Sequence, residues 1–395
     1  MAFRLIIRLP ETEPSPAFVR VGGVPVLLRL LIGGYRQGAE QIEVTGPGVE
    51  EARRLFAQDR RLGGADISWG PAAGPRKELP VVETEANVVV GGGVWELLDK
   101  ATGPAEVPGA PLMRRLGEGK PEPLWTGEPP SKNHFAIPAS DSAGAWAAKR
   151  AIFRNVFKPT SGPVSIHFNS KLSIPVSWLL SETPVTPNQI TVFTTLIGFV
   201  SAWAFSLGTF AGFLTGGVLF QLCAALDRCD GEIARSKYMD SPSGAWVDTV
   251  GDNVTYVAYL TGLTLGYARF AGERGNAWAP YVHAMGFGTL GLTVFLLGGM
   301  YLYLYRNKKS GTLVAVYKDF ESRVDGKKAG FVYRFLDSIK ILGKRDSWSL
   351  AIGVAALLGG LFQAAFFYHL IFFATVGTIV LMNIYFTVAR RNVSG

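Results

Sequence analysis

The sequence predicts an α-helical integral membrane bundle of six transmembrane helices, preceded by a small soluble α/β domain. Three observations carry this. The 395 residues are 48% apolar and only 18% charged, with a mean hydropathy of +0.22, whereas about a quarter of an ordinary soluble protein is charged. Six apolar runs of bilayer-spanning length crowd the C-terminal part. Short apolar runs with alternating strand and helix spacing fill the N-terminal part. Other classes are excluded. So much apolar surface offsets chain entropy, which rules out a disordered chain. The 47 glycines follow no Gly-X-Y period, so the chain is not collagen-like. Two cysteines are too few for a disulfide framework or a Cys-rich zinc module.

The opening residues, MAFRLIIRLPETEPS, do not read as a signal peptide, because the apolar run is short, broken by Arg8 and followed by acids. Residues 1–140 read as the soluble α/β domain. Strands are expected at Phe3 to Leu9, Gln41 to Val44 and Ala86 to Val90. Helices are expected at Pro25 to Gln37, Val49 to Gln58 and Val94 to Ala101. Residues 102–132 are rich in Pro and Gly and read as loop. Residues 141–188 form a juxtamembrane amphipathic segment. From Ser142 to Lys158, Trp146, Phe153, Val156 and Phe157 oppose Lys149, Arg150, Arg154 and Lys158. Such a helix suits a membrane surface, or else packs on the neighbouring domain.

Residues 189–390 form the membrane domain. The apolar runs lie at 189–207, 210–228, 246–268, 281–304, 348–366 and 368–388, each near the roughly 20 residues that a spanning helix needs. The loop from Arg306 to Asp346 carries eleven basic and five acidic residues, and the tail carries Arg390 and Arg391. The turns after the first and fifth runs carry no Lys or Arg. The positive-inside rule therefore predicts a multi-pass protein of the cell (inner) membrane with both termini cytoplasmic. The net charge of +8 is then topological and requires no nucleic acid. Cys223 and Cys229 fall on different helix faces, and a reducing compartment without a disulfide is the simplest expectation.

The chemistry concentrates in Leu226 to Asn253. Asp227 and Asp230 are three apart at the end of the second run; Asp248 and Asp252 are four apart at the start of the third. Each spacing puts a pair on one helical face. A short connection through Ser241 to Gly244 brings the faces together. Membrane aspartates are costly unless paired, solvated or metal-bound. Four converging carboxylates call for a hard divalent cation, Mg²⁺ or Mn²⁺. Gly231 and Ala234 let a ligand approach the backbone, and Arg235 supplies a fixed positive charge for an anionic phosphate. Two metals would neutralise a diphosphate, and one carboxylate would deprotonate an attacking hydroxyl. The spacing does not suit an EF-hand.

The run Asp227-x-x-Asp230-Gly231-x-x-Ala234-Arg235, then eight residues, then Gly244-x-x-x-Asp248-x-x-x-Asp252, resembles the full signature of the CDP-alcohol phosphotransferases, also called CDP-alcohol phosphatidyltransferases. The resemblance covers about residues 150–390. It implies six membrane helices and transfer of a substituted phosphate from a CDP-linked donor to an alcohol acceptor, with release of CMP, in phospholipid or related polar-lipid synthesis. It further implies that Asp227, Asp230, Asp248 and Asp252 bind two divalent cations and that Asp252 is the catalytic base. Gly231, Ala234, Arg235 and Gly244 would line the CDP site. The stretch Pro184 to Thr191 resembles the family's entry to the first membrane helix. Pro187 and Asn188 would there lie beside the nucleotide, or the stretch is simply a helix cap.

In the N-terminal domain, Val21 to Leu28 followed by Gly38 to Val44 resembles Rossmann-like sugar-phosphate nucleotidyltransferases. Where that family has a Gly-rich loop with Arg, this chain has Pro10-Glu11-Thr12-Glu13-Pro14, and Val24 stands at the lysine position. Glu83 and Glu85 are poor substitutes for the acidic metal motif. Without amides and cations to cradle a triphosphate, the domain reads as a degenerate, inactive relative. Fusions of a cytidylyltransferase to such a membrane domain occur in enzymes making di-inositol phosphate phosphates, which implies an inositol-phosphate-like acceptor.

Lys158, Lys171 and the basic loop are candidates for an acceptor phosphate or for anionic membrane lipids, against simple topological charge. His134, His167, His283 and His369 show no metal-ligand spacing and read as structural. Gly286, Gly288, Gly291, Gly359 and Gly360 permit close helix packing and with it a homodimer. Two other classes fit the same aspartates: a cation-coupled transporter, disfavoured because they lie at one membrane face, and a non-catalytic membrane scaffold.

Overall fold

Four parallel strands, each too short to stand alone, form one side of a seven-stranded sheet in the N-terminal domain. The computed structural model describes residues 2–71, 79–110, 113–157, 163–277, 279–306 and 345–357. The chain divides into two compact units. One comprises Met1–Lys158, Trp178–Pro184 and Glu232–Met239; the other comprises Pro159–Ser177, Val185–Gly231 and Asp240–Gly395.

In the first unit, Phe3–Arg8 lies between Ala39–Thr45 and Val81–Glu85, parallel to both, and Ile67–Trp69 extends the sheet beyond Ala39–Thr45. The alternation in FRLIIR puts Leu5 and Ile7 into the core. They meet Leu27, Leu28 and Leu31 of helix α1 (Val26–Arg36), the crossover that lets Ala39–Thr45 return parallel to Phe3–Arg8. Helices α2 (Val49–Phe56) and α3 (Gly92–Lys100) follow as expected.

The sequence reading missed two of the four parallel strands. Val81–Glu85 alternates poorly because Glu83 and Glu85 sit in it, and Ile67–Trp69 has only three residues. Val88–Val90 leaves the main sheet and pairs antiparallel with Ala136–Pro138. Residues 102–132 were expected as loop. They contribute Ala105–Glu106, Arg114–Arg115 and Glu122–Pro123 to the sheet edge, pieces too short to show a period.

Helix α4 (Ser142–Arg154) starts at Asp141, whose carboxylate accepts the Gly144 N–H at 2.7 Å. Its Ala148 joins Val21, Val26, Val89 and Ala139 in a small core. Phe153 and Lys149 close on Trp178, and the Lys149 ammonium donates to Glu182 at 2.7 Å. One face of this basic amphipathic helix therefore packs within its own unit, while Trp146 stays 56% exposed.

The remaining described helices are α5 (Ser170–Leu180, entered through a π-turn at Ser165–Asn169), α6 (Pro187–Ser206), α7 (Phe210–Leu226), α8 (Arg228–Lys237), α9 (Pro242–Glu273), α10 (Ala279–Arg306) and α11 (Arg345–Leu357). Three described stretches are long and apolar enough to cross a membrane: Pro187–Ser206, Phe210–Lys237 and Ala279–Gly299. The run expected at 246–268 lies inside α9, which is 32 residues long but not among those three. Asp248, Asp252 and Asn253 dilute its apolar first half. The fifth expected run begins in α11. Its end, the sixth run at 368–388 and the loop from 307 to 344 lie outside the described residues.

Helices α6, α7 and α9 pack around an aromatic core. The Tyr259 ring lies 4.4 Å from Phe220 and 5.2 Å from Phe205, with Phe213 and Tyr267 also buried. Contact between α6 and α9 is backbone-close. A Cβ on Gly262 would stand 2.1 Å from the Ala202 carbonyl oxygen, so only glycine permits it.

Candidate metal and phosphate site

Helix geometry carries Asp227 to the end of α7, and α8 continues from Arg228. Asp227 and Asp230 are thus one turn apart on one face. Tyr238 ends α8 in the left-handed region at φ +58°, and the Met239 N–H closes the end on the Ala234 carbonyl at 2.8 Å. The chain reverses, and Ser241 caps α9 by accepting the Gly244 N–H at 3.0 Å. One turn on, α9 presents Asp248, and a further turn on Asp252.

The two helix ends bring three of the four acids together. One oxygen from each of Asp227, Asp230 and Asp248 lies within 4.8 Å of the others. Asp230 is buried, and Asp227 and Asp248 are half-buried. Asp252 is half-buried and stands outside that trio. At such spacing two carboxylates repel by about 1 kcal/mol in water, rising to about 4 kcal/mol near a protein surface. The donor set is entirely carboxylate oxygen, which suits a hard divalent cation such as Mg²⁺ or Mn²⁺.

The surroundings orient these groups. The Thr191 hydroxyl on α6 donates to Asp230 Oδ2 at 2.6 Å, and the Gly231 N–H donates to Asp230 Oδ1. Asn253 donates to the Tyr301 hydroxyl at 2.7 Å, that hydroxyl donates to the Thr249 carbonyl at 3.2 Å, and Trp246 stacks on Tyr301 at 5.8 Å. These contacts fix the first turns of α9 against α10. The tie from Thr191 to Asp230 spans 39 residues, and no local pattern announces it. Tyr301 likewise left no sequence signal.

The other expected residues fall as follows. A Cβ on Gly244 would lie 3.5 Å from Asn188 Oδ1, so these two candidates for the nucleotide are neighbours. Pro187 is the first residue of α6, behind a capping box in which Thr186 accepts the Gln189 N–H and Gln189 accepts the Thr186 N–H; the cap reading of that stretch holds for those two residues. Ala234 and Arg235 belong to the first unit, where the Arg235 Nε donates to the Val156 carbonyl at 2.5 Å. Lys171 is exposed on α5, and Lys158 lies outside the described residues.

In the α/β domain, the Glu83 carboxylate is 4% exposed and is shared by two guanidinium groups, Arg8 at 2.5 Å and Arg114 at 2.9 Å. Glu85 accepts from Asn87 at 2.8 Å. Val24 is buried, and Glu11 to Pro14 are exposed.

Residues 184–317 match the family model of the CDP-alcohol phosphatidyltransferases, the family whose signature the run from Asp227 to Asp252 resembles. The chain is 41% identical over 114 residues to the bifunctional IPC transferase and DIPP synthase of Thermococcus kodakarensis, a stretch covering 29% of this chain and 25% of that protein. It is 28% identical over 231 residues to the protein of the same name from Archaeoglobus fulgidus, covering 58% of this chain and 39% of that one. It is 35% identical over 119 residues to that of Aquifex aeolicus, covering 30% and 27%. The chain thus spans between about a quarter and two fifths of these relatives' lengths.

Proposed function

We propose that this protein transfers a substituted phosphate from a CDP-linked donor to an alcohol, releasing CMP, and that Asp227, Asp230, Asp248 and Asp252 hold two divalent cations for the purpose. The observation that carries this is the convergence of Asp227, Asp230 and Asp248 oxygens within 4.8 Å at the ends of two helices inside a segment matching the family model. Bound there, Mg²⁺ or Mn²⁺ would offset charge on the diphosphate and on the departing CMP.

The rest falls to the chain. Gly231, Gly244, Asn188 and Pro187 leave room for the nucleotide beside the acids, and Ala234 and Arg235 are assigned to the nucleotide by their positions in the signature run. Asp252, outside the close trio, is the base. It takes the proton of the acceptor hydroxyl as the oxygen bonds to the phosphorus bearing the donor's alcohol. The bond from that phosphorus to the CMP phosphate oxygen breaks, and CMP leaves with the electron pair.

The same reading makes the protein multi-pass in the cell membrane, with six spans and cytoplasmic termini, and makes the acceptor an inositol phosphate, in keeping with the relatives' names. Lys171 and Lys158 are candidates for its phosphate. The N-terminal domain is a nucleotidyltransferase relative without activity, since Glu83 is occupied by two arginines.

The test is release of CMP from a labelled CDP-linked lipid by the full chain in nanodiscs, with Mg²⁺ or Mn²⁺ and a panel of acceptors including inositol phosphate. Release that requires both cation and acceptor supports the proposal; none with any acceptor refutes it.

A further inference from the structure

Thr191 touches both helices that carry the aspartates. Its hydroxyl donates to Asp230 Oδ2 at 2.6 Å, and its second hydrogen-bond contact, the Pro187 carbonyl at 3.2 Å, is longer. Its methyl faces α9 at Gly251, which lies between Asp248 and Asp252. A Cβ on Gly251 would stand 3.2 Å from Thr191 Cγ2 and 3.0 Å from Thr195 Oγ1. Thr195 in turn donates to the Thr191 carbonyl at 2.8 Å. Thr191 is buried, at 4% exposure, and Asp230 is 7% exposed. A β-branched residue on a helix has few rotamers, so the hydroxyl and the methyl are committed together.

We infer that Thr191 is a positioning residue for the cation-binding carboxylates, its hydroxyl fixing the Asp230 carboxylate while its methyl rests against α9 at Gly251. A buried carboxylate with one oxygen held by a hydroxyl donor and the other by the Gly231 N–H cannot rotate freely, so the Asp230 carboxylate is fixed before any cation arrives. Groups that orient a ligand typically change metal affinity by 10–100-fold when removed. The two contacts separate by substitution. Thr191→Val keeps the methyl contact and loses the donor. Thr191→Ser keeps the donor and loses the methyl.

This inference rests on the proposed cation site, and its test reads binding rather than turnover. Mn²⁺ is titrated into the full chain in nanodiscs, free of substrate, with free Mn²⁺ followed by electron paramagnetic resonance. Thr191→Val should weaken Mn²⁺ binding about tenfold or more, and Thr191→Ser should stay within about threefold of the parent. If Thr191→Val is not recovered folded, Thr191→Ala removes the same donor without a new branch and should show the same loss. Equal Mn²⁺ affinity in the parent and in every folded variant lacking the hydroxyl overturns the role of Thr191 and leaves the site intact. A parent that binds no Mn²⁺ overturns this inference and the cation site together.

Discussion

Glu83 and Arg114 face each other across two antiparallel strands, and the Arg114 guanidinium donates to the Glu83 carboxylate at 2.9 Å. Arg8 closes on the other oxygen at 2.5 Å. A carboxylate so engaged is a structural anion and not an open metal ligand. The full chain given CTP, Mg²⁺ and inositol phosphate should therefore release no pyrophosphate; release above background would contradict an inactive N-terminal domain. Glu83→Gln should lower stability by about 2 kcal/mol, the scale of a lost charged hydrogen bond, as read by denaturant unfolding, and should leave CMP release unchanged.

The turn at Asp59 is acid-sensitive. The side-chain hydrogen bond from Arg61 holds the Asp59 carboxyl below the usual carboxylate range, against the opposing effect of burial, with help from the Arg61 backbone N–H and its charge. A depressed carboxylate stabilises the fold above its unfolded pKa of about 4 and loses that contribution as pH falls further. The melting temperature of Asp59→Asn should lie below the parent's at neutral pH, and the gap should close below about pH 4. A gap constant with pH would show that Asp59 contributes through packing alone.

At Gly262, α9 lies directly against the α6 backbone. A Cβ there would meet the Ala202 carbonyl oxygen at 2.1 Å, and backbone does not give way as a side chain does. Gly262→Val should cost about 1–3 kcal/mol and lower the melting temperature of the chain in nanodiscs. A Cβ on Gly288 would meet nothing within 4 Å among the described residues, and Gly288→Ala should bring little change.

In the proposed mechanism Asp252 carries the proton-transfer role. Asp252→Asn should cut CMP release by about 10²–10⁴-fold, the usual worth of a positioned base, with the melting temperature unchanged. Substantial transfer in that variant would remove Asp252 from the role.

The aspartate site was legible because its information is local. Spacings of three and four residues fix a helical face, and the reversal between α8 and α9 is short, so Asp227, Asp230 and Asp248 meet as their order in the chain predicts. The α/β domain was legible where helices and longer strands have a period, as at Phe3–Arg8 and Val26–Arg36. It was not where a strand has two or three residues, or where Glu83 interrupts the apolar pattern and is neutralised by Arg8 and Arg114 from two neighbouring strands. The same holds for Thr191. It reads as part of a helix entry, and its bond to Asp230 exists only once α6 and α8 are packed. The extent of α9, 32 residues, also exceeded its apolar run, because the helix runs on at both ends, from Pro242 and to Glu273, through residues that carry no apolar period.

The central claim is that Asp227, Asp230 and Asp248 grip a divalent cation. Anomalous diffraction from crystals of the full chain grown with Mn²⁺ tests it most directly. The account predicts a manganese peak bounded by those three carboxylates at roughly 2.0–2.6 Å from their oxygens. A preparation that releases CMP yet shows no manganese among them would contradict it.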